Sequence, residues 1–113
     1  MARAAEDSTE LNPQRFQILL ALAEQPLHGY GIMHDVLERT GGRMKLWPGM
    51  LYGSLKRLAE AGLVEETGPP HDAPQDRMER RFYRITADGR RALSAETARL
   101  ASYVEAARSR NPS

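Results

Sequence analysis

Apolar residues in this chain recur at helical spacing in several stretches, and proline and glycine punctuate them. The most sharply drawn stretch lies between Pro48 and Gly62. Leu51, Leu55 and Leu58 form one narrow stripe, which leaves Gly49, Gly53, Lys56 and Arg57 on the opposite side with Met50 and Tyr52 on the flanks. Pro48, with a fixed φ and no N–H, suits a first helical position, and Gly62 supplies the positive φ common just past a helix end. The pattern predicts a short helix with one face for a core and the other free to meet a partner.

Upstream, Met1 to Leu11 has no apolar periodicity and mixes small residues with Glu6, Asp7 and Glu10, so residues 1–11 are expected to form a flexible arm. Asn12 and Pro13 then read as an N-cap and a first-turn proline. Phe16, Leu19, Leu20 and Ala23, with Ile18 and Leu22 beside them, make a broadly apolar helix that Pro26 is expected to end. So wide a surface could cover a core on one side and touch a second subunit on the other. His28-Gly29-Tyr30-Gly31 interrupts the pattern, after which Ile32, Met33, Val36 and Leu37 return at helical spacing until Gly41-Gly42 stops them. Two short helices joined by a glycine-containing turn, the second carrying cations, make the helix-turn-helix pattern.

Downstream, Leu63 to Thr67 and Arg81 to Thr86 suit two short strands of a hairpin, the second rich in aromatic and β-branched residues. Alternation places Tyr83 and Ile85 on one face and Arg80, Phe82 and Arg84 on the other, so the first pair is expected to close the core while the arginines point outward. The connection from Gly68 to Met78, with Pro69, Pro70 and Pro74, is long for a hairpin and is expected to be mobile. Thr86 can cap a last helix, in which Leu93, Thr97, Leu100, Val104 and Ala107 are spaced as the seam of a helix that pairs with another. That helix either folds back on its own domain or pairs with a partner subunit; the second is the expectation, because the core helices already supply its apolar faces. Residues 111–113 are read as a loose tail. The fold class is therefore mainly α with a small β-hairpin, a winged helix-turn-helix over residues 12–86 followed by a dimerisation helix over 87–110.

Composition narrows the function. A chain of 113 residues without cysteine offers one modest core and no disulfide, thiolate nucleophile or thiolate zinc site. No signal peptide and no apolar run long enough to span a bilayer is evident, so a cytoplasmic location without membrane contact is expected. The net charge is only +1, but its distribution is uneven. Arg43, Lys45, Lys56 and Arg57 stand with no acid between Gly41 and Ala59, and Arg77, Arg80, Arg81 and Arg84 make a second cluster. Either alone is what a solvated face looks like; two on adjoining elements point to a polyanion. His28 and His34, six apart, would lie on different helix faces with no further ligand, so no metal or other cofactor is expected. No nucleophile, base and orienting group come together in the pattern, so the chain is not expected to be an enzyme. Trp47 is expected to pack at the core or its edge, and His28 to hold its local turn.

These residues together resemble the PadR family of winged-helix transcriptional regulators. Leu27-His28-Gly29-Tyr30-Gly31-Ile32 is similar to the family's entry to its second helix. Pro48-Gly49-Met50-Leu51-Tyr52-Gly53-Ser54-Leu55-Lys56-Arg57-Leu58, followed by Gly62-Leu63-Val64, is similar to its recognition helix and first wing strand. Glu79 to Thr86 and Gly89-Arg90-Arg91 are similar to its second wing strand and the opening of its dimerisation helix, in the compact branch without a large C-terminal domain. Met50 departs from the family, which often has a small or hydroxylated residue there.

The resemblance implies a homodimeric repressor placing one recognition helix per subunit in the major groove of a roughly palindromic operator. Pro48, Gly49, Met50, Tyr52, Gly53, Lys56 and Arg57 would meet DNA from the helix, and Arg80, Arg81 and Arg84 from the wing, where pairing with Glu65 or Glu66 across the hairpin is the competing role. Phe16, Leu20, Leu93, Thr97, Leu100, Val104 and Ala107 would form the subunit contact, and Phe16 and Tyr103 would line the space for a small aromatic effector or simply pack that contact. The alternative is a winged-helix adaptor that binds protein instead of DNA, which the near-neutral charge favours.

Overall fold

The computed structural model describes residues 11–68 and 81–112. In chain order they form α1 (Pro13–Leu22), β1 (Leu27–His28), α2 (Gly29–Arg39), α3 (Pro48–Glu60), β2 (Val64–Thr67), β3 (Phe82–Ile85) and α4 (Ala87–Arg110). The architecture is a winged helix-turn-helix: α1, α2 and α3 enclose the core, an antiparallel sheet in the order β1-β3-β2 closes one side, and α4 follows the wing.

Local chemistry sets most of the boundaries. The Asn12 side chain accepts the Arg15 N–H at 2.8 Å at the start of α1, with Pro13 in the first turn. That helix ends at Leu22, earlier than the position of Pro26 leads one to expect. The Ala23 N–H turns back to the Leu20 carbonyl at 3.2 Å, and Arg90 from α4 donates to the Ala23 carbonyl at 3.1 Å, so a tertiary cap closes the helix before proline is reached. At the helix-turn-helix corner, Gly41 and Gly42 both have positive φ, the Gly42 N–H bonds the Leu37 carbonyl at 2.8 Å, and the Thr40 hydroxyl accepts the Met44 N–H at 3.0 Å. Gly62, at φ 78°, does the same service after α3.

Ile18, Leu19, Leu22, Ile32, Val36, Leu51, Leu55 and Leu58 are all but inaccessible to solvent. Each such side chain contributes roughly 1.5–3 kcal/mol by leaving water. The single-stripe reading of α3 holds, since its buried residues are Leu51, Leu55 and Leu58. Arg39 fastens α2 to α1 by reaching Gln17, while Asp35 holds its guanidinium at 2.6 Å.

Two expectations about the sheet need correction. The hairpin has a third strand, β1, which pairs Leu27 with Tyr83 and His28 with Phe82. Phe82, expected on the outward face beside the arginines, is buried at 5% exposure, because the added strand sets the His28 ring edge-on to it at 5.2 Å. Tyr83 and Ile85 are buried against the core, and Arg84 is exposed. His28 serves its local turn as expected, since its Nδ1 accepts the Gly31 N–H at 3.0 Å and caps α2.

The start of α4 is pressed onto the end of α3. Thr86 donates its N–H to the Leu63 carbonyl at 3.0 Å and its hydroxyl to the Gly62 carbonyl at 2.6 Å, while that hydroxyl accepts the Gly89 N–H at 3.0 Å. Gly89 is buried there, and a Cβ on it would stand 2.1 Å from the Leu63 carbonyl oxygen, a backbone atom that cannot swing aside. Replacing Gly89→Ala should therefore destabilise the fold by about 1–3 kcal/mol, an overpacking cost, seen as a lower urea midpoint with unchanged slope.

Candidate nucleic-acid interface

The α3 residues expected to meet DNA all lie at the surface: Pro48, Gly49, Met50, Tyr52, Gly53, Lys56 and Arg57 are exposed, while the leucine stripe is buried beneath them. The glycines on and facing α3 differ in kind. A Cβ on Gly29 would come within 2.3 Å of the Tyr52 hydroxyl, so Gly29 makes room for the phenol to lean on the first turn of α2. Gly49 and Gly53 have nothing within 4 Å of where a Cβ would stand, and both lie on the free face of α3. Nothing inside the protein requires a glycine at either place, although glycine weakens a helix.

Tyr52 is packed at one end and open to solvent along the rest. Its hydroxyl end abuts Gly29 while the residue keeps 44% exposure, so the ring is held in a fixed place at the surface. Together with Lys56, Glu66, Arg81 and Tyr83 it lines a cleft of about 480 Å³ between α3 and the wing.

In the wing, the competing role of the arginines is realised. The register sets Glu65 opposite Arg84, and the two form an ion pair. Arg81 lies 3.5 Å from Glu66, and its guanidinium is held above its ordinary pKa first by the Tyr83 hydroxyl and then by Glu66, which reinforces a charge that is permanent in any case. All four partners of these pairs are well exposed. Arg77 and Arg80 lie outside the described residues, as do residues 1–10 of the expected arm, residues 69–78 of the expected mobile connection and Ser113 of the tail.

Trp47 departs from expectation. It is 59% exposed, with the Lys45 ammonium 4.7 Å from its ring centroid, because Leu46 beside it takes the buried position. Tyr30, which sequence reasoning assigned no role, is 71% exposed. The available signal was that a tryptophan standing at an N-cap cannot cap, and no side chain caps α3.

The residues expected at a subunit contact are spread unevenly. Phe16 and Leu93 pack against the core cluster and Leu20 is half-buried, whereas Thr97, Leu100, Val104 and Ala107 are exposed. The first part of α4 thus folds back on its own domain, and the seam beyond it is uncovered within one chain. Tyr103 is exposed and accepts a hydrogen bond from Arg99 at 3.2 Å, and Arg99 in turn grips the buried Glu96 at 2.6 Å. Among the described residues no group of three or more His, Cys, Asp or Glu could hold a metal ion, and no helix is long and apolar enough to cross a membrane.

Comparison with known proteins agrees with this architecture. A family model described as the transcriptional regulator PadR-like family matches residues 18–95. Over 85 residues the chain is 35% identical to an uncharacterized 37.1 kDa protein in transposon TN4556 of Streptomyces fradiae, covering 75% of this chain and spanning 22% of the length of that curated relative. Among solved structures, a PadR family transcription regulator from Clostridium difficile superposes with a TM-score of 0.72 at 21% identity, covering 84% of this chain and 94% of the other. RosR of H. salinarum superposes at 0.63 with 25% identity, covering 82% and 76%. Bacillus subtilis PadR in complex with operator DNA superposes at 0.63 with 22% identity, covering 76% and 47%. If the free face of α3 carries no internal reason for glycine, Gly53→Ala should raise stability by about 0.5–1 kcal/mol through helix propensity alone, read as a higher urea midpoint.

Proposed function

The chain belongs to the PadR-like transcriptional regulator family, and from that premise we propose that it represses transcription as a homodimer on a roughly palindromic operator, with one α3 per subunit in the major groove. The observation that carries this reading is the free face of α3. Two helix glycines without an internal purpose lie on the side that also bears Tyr52, Lys56 and Arg57. A helix backbone stripped of side chains is what close approach to a duplex needs, and cations beside it supply phosphate or guanine contacts. Tyr52, Pro48 and Gly49 would position the helix on phosphates, and Met50 and Gly53 would face base edges.

In this reading the uncovered seam of α4 from Thr97 to Ala107, with Leu93, meets its counterpart in the partner subunit, and Phe16 and Leu20 of α1 flank that contact. Phe16 and Tyr103 would border the place where a small aromatic effector could act on the dimer. Arg81 and Arg84 of the wing would meet sugar-phosphate once Glu66 and Glu65 release them, and Arg80 would join them there. The proposal assigns the chain no catalytic step and a cytoplasmic site of action.

The paired wing arginines and the net charge of +1 favour one other reading, a protein-binding adaptor built on the same fold. Titrating a labelled duplex from upstream of the chain's own gene, followed by anisotropy at several salt concentrations, separates the two. DNA binding by the wild type, weakened in Lys56→Ala/Arg57→Ala with a salt slope smaller by about four, two cations from each of two subunits, is the expected result; an unchanged slope would sink the assignment of α3. Gly53→Ala should weaken binding in the same titration while it stabilises the fold. Glu65→Gln with Glu66→Gln should do the reverse of the α3 double variant, tightening binding at low salt and steepening the slope, because two wing cations are set free.

A further inference from the structure

The large apolar side chains that stand exposed fall into two groups among the described residues: Leu100, Tyr103 and Val104 on α4, and Tyr30, Trp47, Met50 and Tyr52 around the entrance to α3. The first group is accounted for by the proposed subunit contact. In the second, Met50 and Tyr52 belong to the proposed DNA face, whereas Tyr30 and Trp47 lie beyond it, on opposite elements. Tyr30 is in the first turn of α2 and Trp47 immediately precedes α3, and both line a shallow groove of about 300 Å³ with Met33, Leu46 and Lys45. So much uncovered aromatic surface in so small a domain marks a contact surface.

We infer that Tyr30, Lys45 and Trp47 form a second DNA-contacting patch that seats the sugar-phosphate backbone of one strand beside the first turn of α3. The inference rests on the DNA-binding reading and extends it to Tyr30 and Trp47, which join Lys45 of the basic cluster. Three observations select a nucleic-acid backbone over an apolar protein partner. The patch is continuous with the proposed DNA face, since Trp47 adjoins Pro48 and Pro48 itself lines the groove. Its charge is positive: Lys45 sits over the Trp47 ring, Arg43 is two residues away, and no acid occurs between Gly41 and Ala59. The rim also carries hydrogen-bond donors, the indole N–H and the Tyr30 hydroxyl, which suit phosphate oxygens while the rings pack on deoxyribose.

A contact of this kind adds affinity without sequence preference, because phosphate and sugar are the same at every step. It would also orient the recognition helix. A backbone clamped between the first turn of α2 and the residue before α3 fixes how far, and at what angle, the α3 N-terminus enters the groove.

Trp47 is the only tryptophan in the chain, so its fluorescence reports this patch directly. The experiment uses the full chain with a labelled mixed-sequence duplex and, separately, the duplex from upstream of its own gene. Anisotropy follows DNA binding, and acrylamide quenching follows the exposure of Trp47. The expected result is that saturating either duplex lowers the quenching constant by about half, given that a buried interface excludes solvent from its aromatic contacts. Lys45→Ala should weaken binding to both duplexes by a similar factor and reduce the salt slope by about two, one contact per subunit, with an unchanged circular dichroism spectrum. If anisotropy shows saturation while Trp47 stays as accessible as in the free protein, the groove serves some other occupant and the inference is wrong, with the DNA-binding reading intact. If the wild type leaves both duplexes free at low salt, the DNA-binding reading fails and this inference falls with it.

Discussion

The close approach of Gly89 to the Leu63 carbonyl is the constraint on which the rest of the structure depends. It brings the first turn of α4 against the backbone that leaves α3, and Thr86 then ties the two with bonds to the Gly62 and Leu63 carbonyls. The wing strands β2 and β3 enter and leave at this junction, with Val64 opposite Ile85. α3, the wing and α4 therefore meet at one joint, and α1 is drawn into it when Arg90 caps the Ala23 carbonyl. A motion of α4 relative to the domain would have to break polar bonds to the Gly62, Leu63 and Ala23 carbonyls.

The interior and the surface of this protein use glycine for opposite reasons. At Gly29 and Gly89 the side chain is missing because something else of the protein occupies the space, a phenol in one case and a carbonyl in the other. At Gly49 and Gly53 the space is empty. The second kind lowers helix stability without any compensating internal contact, and such an imbalance is a common mark of surfaces shaped by binding.

What was legible in the sequence was what short-range chemistry decides. Asn12 and Thr86 as caps, Pro48 and Gly62 as the bounds of α3, and the Leu51, Leu55, Leu58 stripe all follow from interactions within a few residues, and all appear in the fold. The exposed candidates on α3 were legible for the same reason, because a stripe that narrow leaves the opposite face defined. Strand β1 was not, since two residues have no period, and its pairing with β3 joins positions far apart in the chain. The burial of Phe82 hung on that unseen strand. Trp47 and Leu46 are neighbours of which the turn can bury only one, and hydrophobicity alone favours the larger; the geometry of the turn after Thr40 chose the smaller. The choice between free and paired wing arginines was visible as a choice, and the β2–β3 register decided it.

That register has a consequence for how the protein would spend its time in a cell. With Arg81 and Arg84 held by Glu66 and Glu65, the charge of these two arginines is less available to random duplex, and a chance encounter would displace fewer condensed ions. If the chain acts on DNA as proposed, dwell times at non-target sequence would be short, and the pool of molecules would not be titrated away by the bulk of the chromosome. On the proposed reading, a small number of copies would be enough to keep one operator occupied, with the wing committed only where α3 has already found its place.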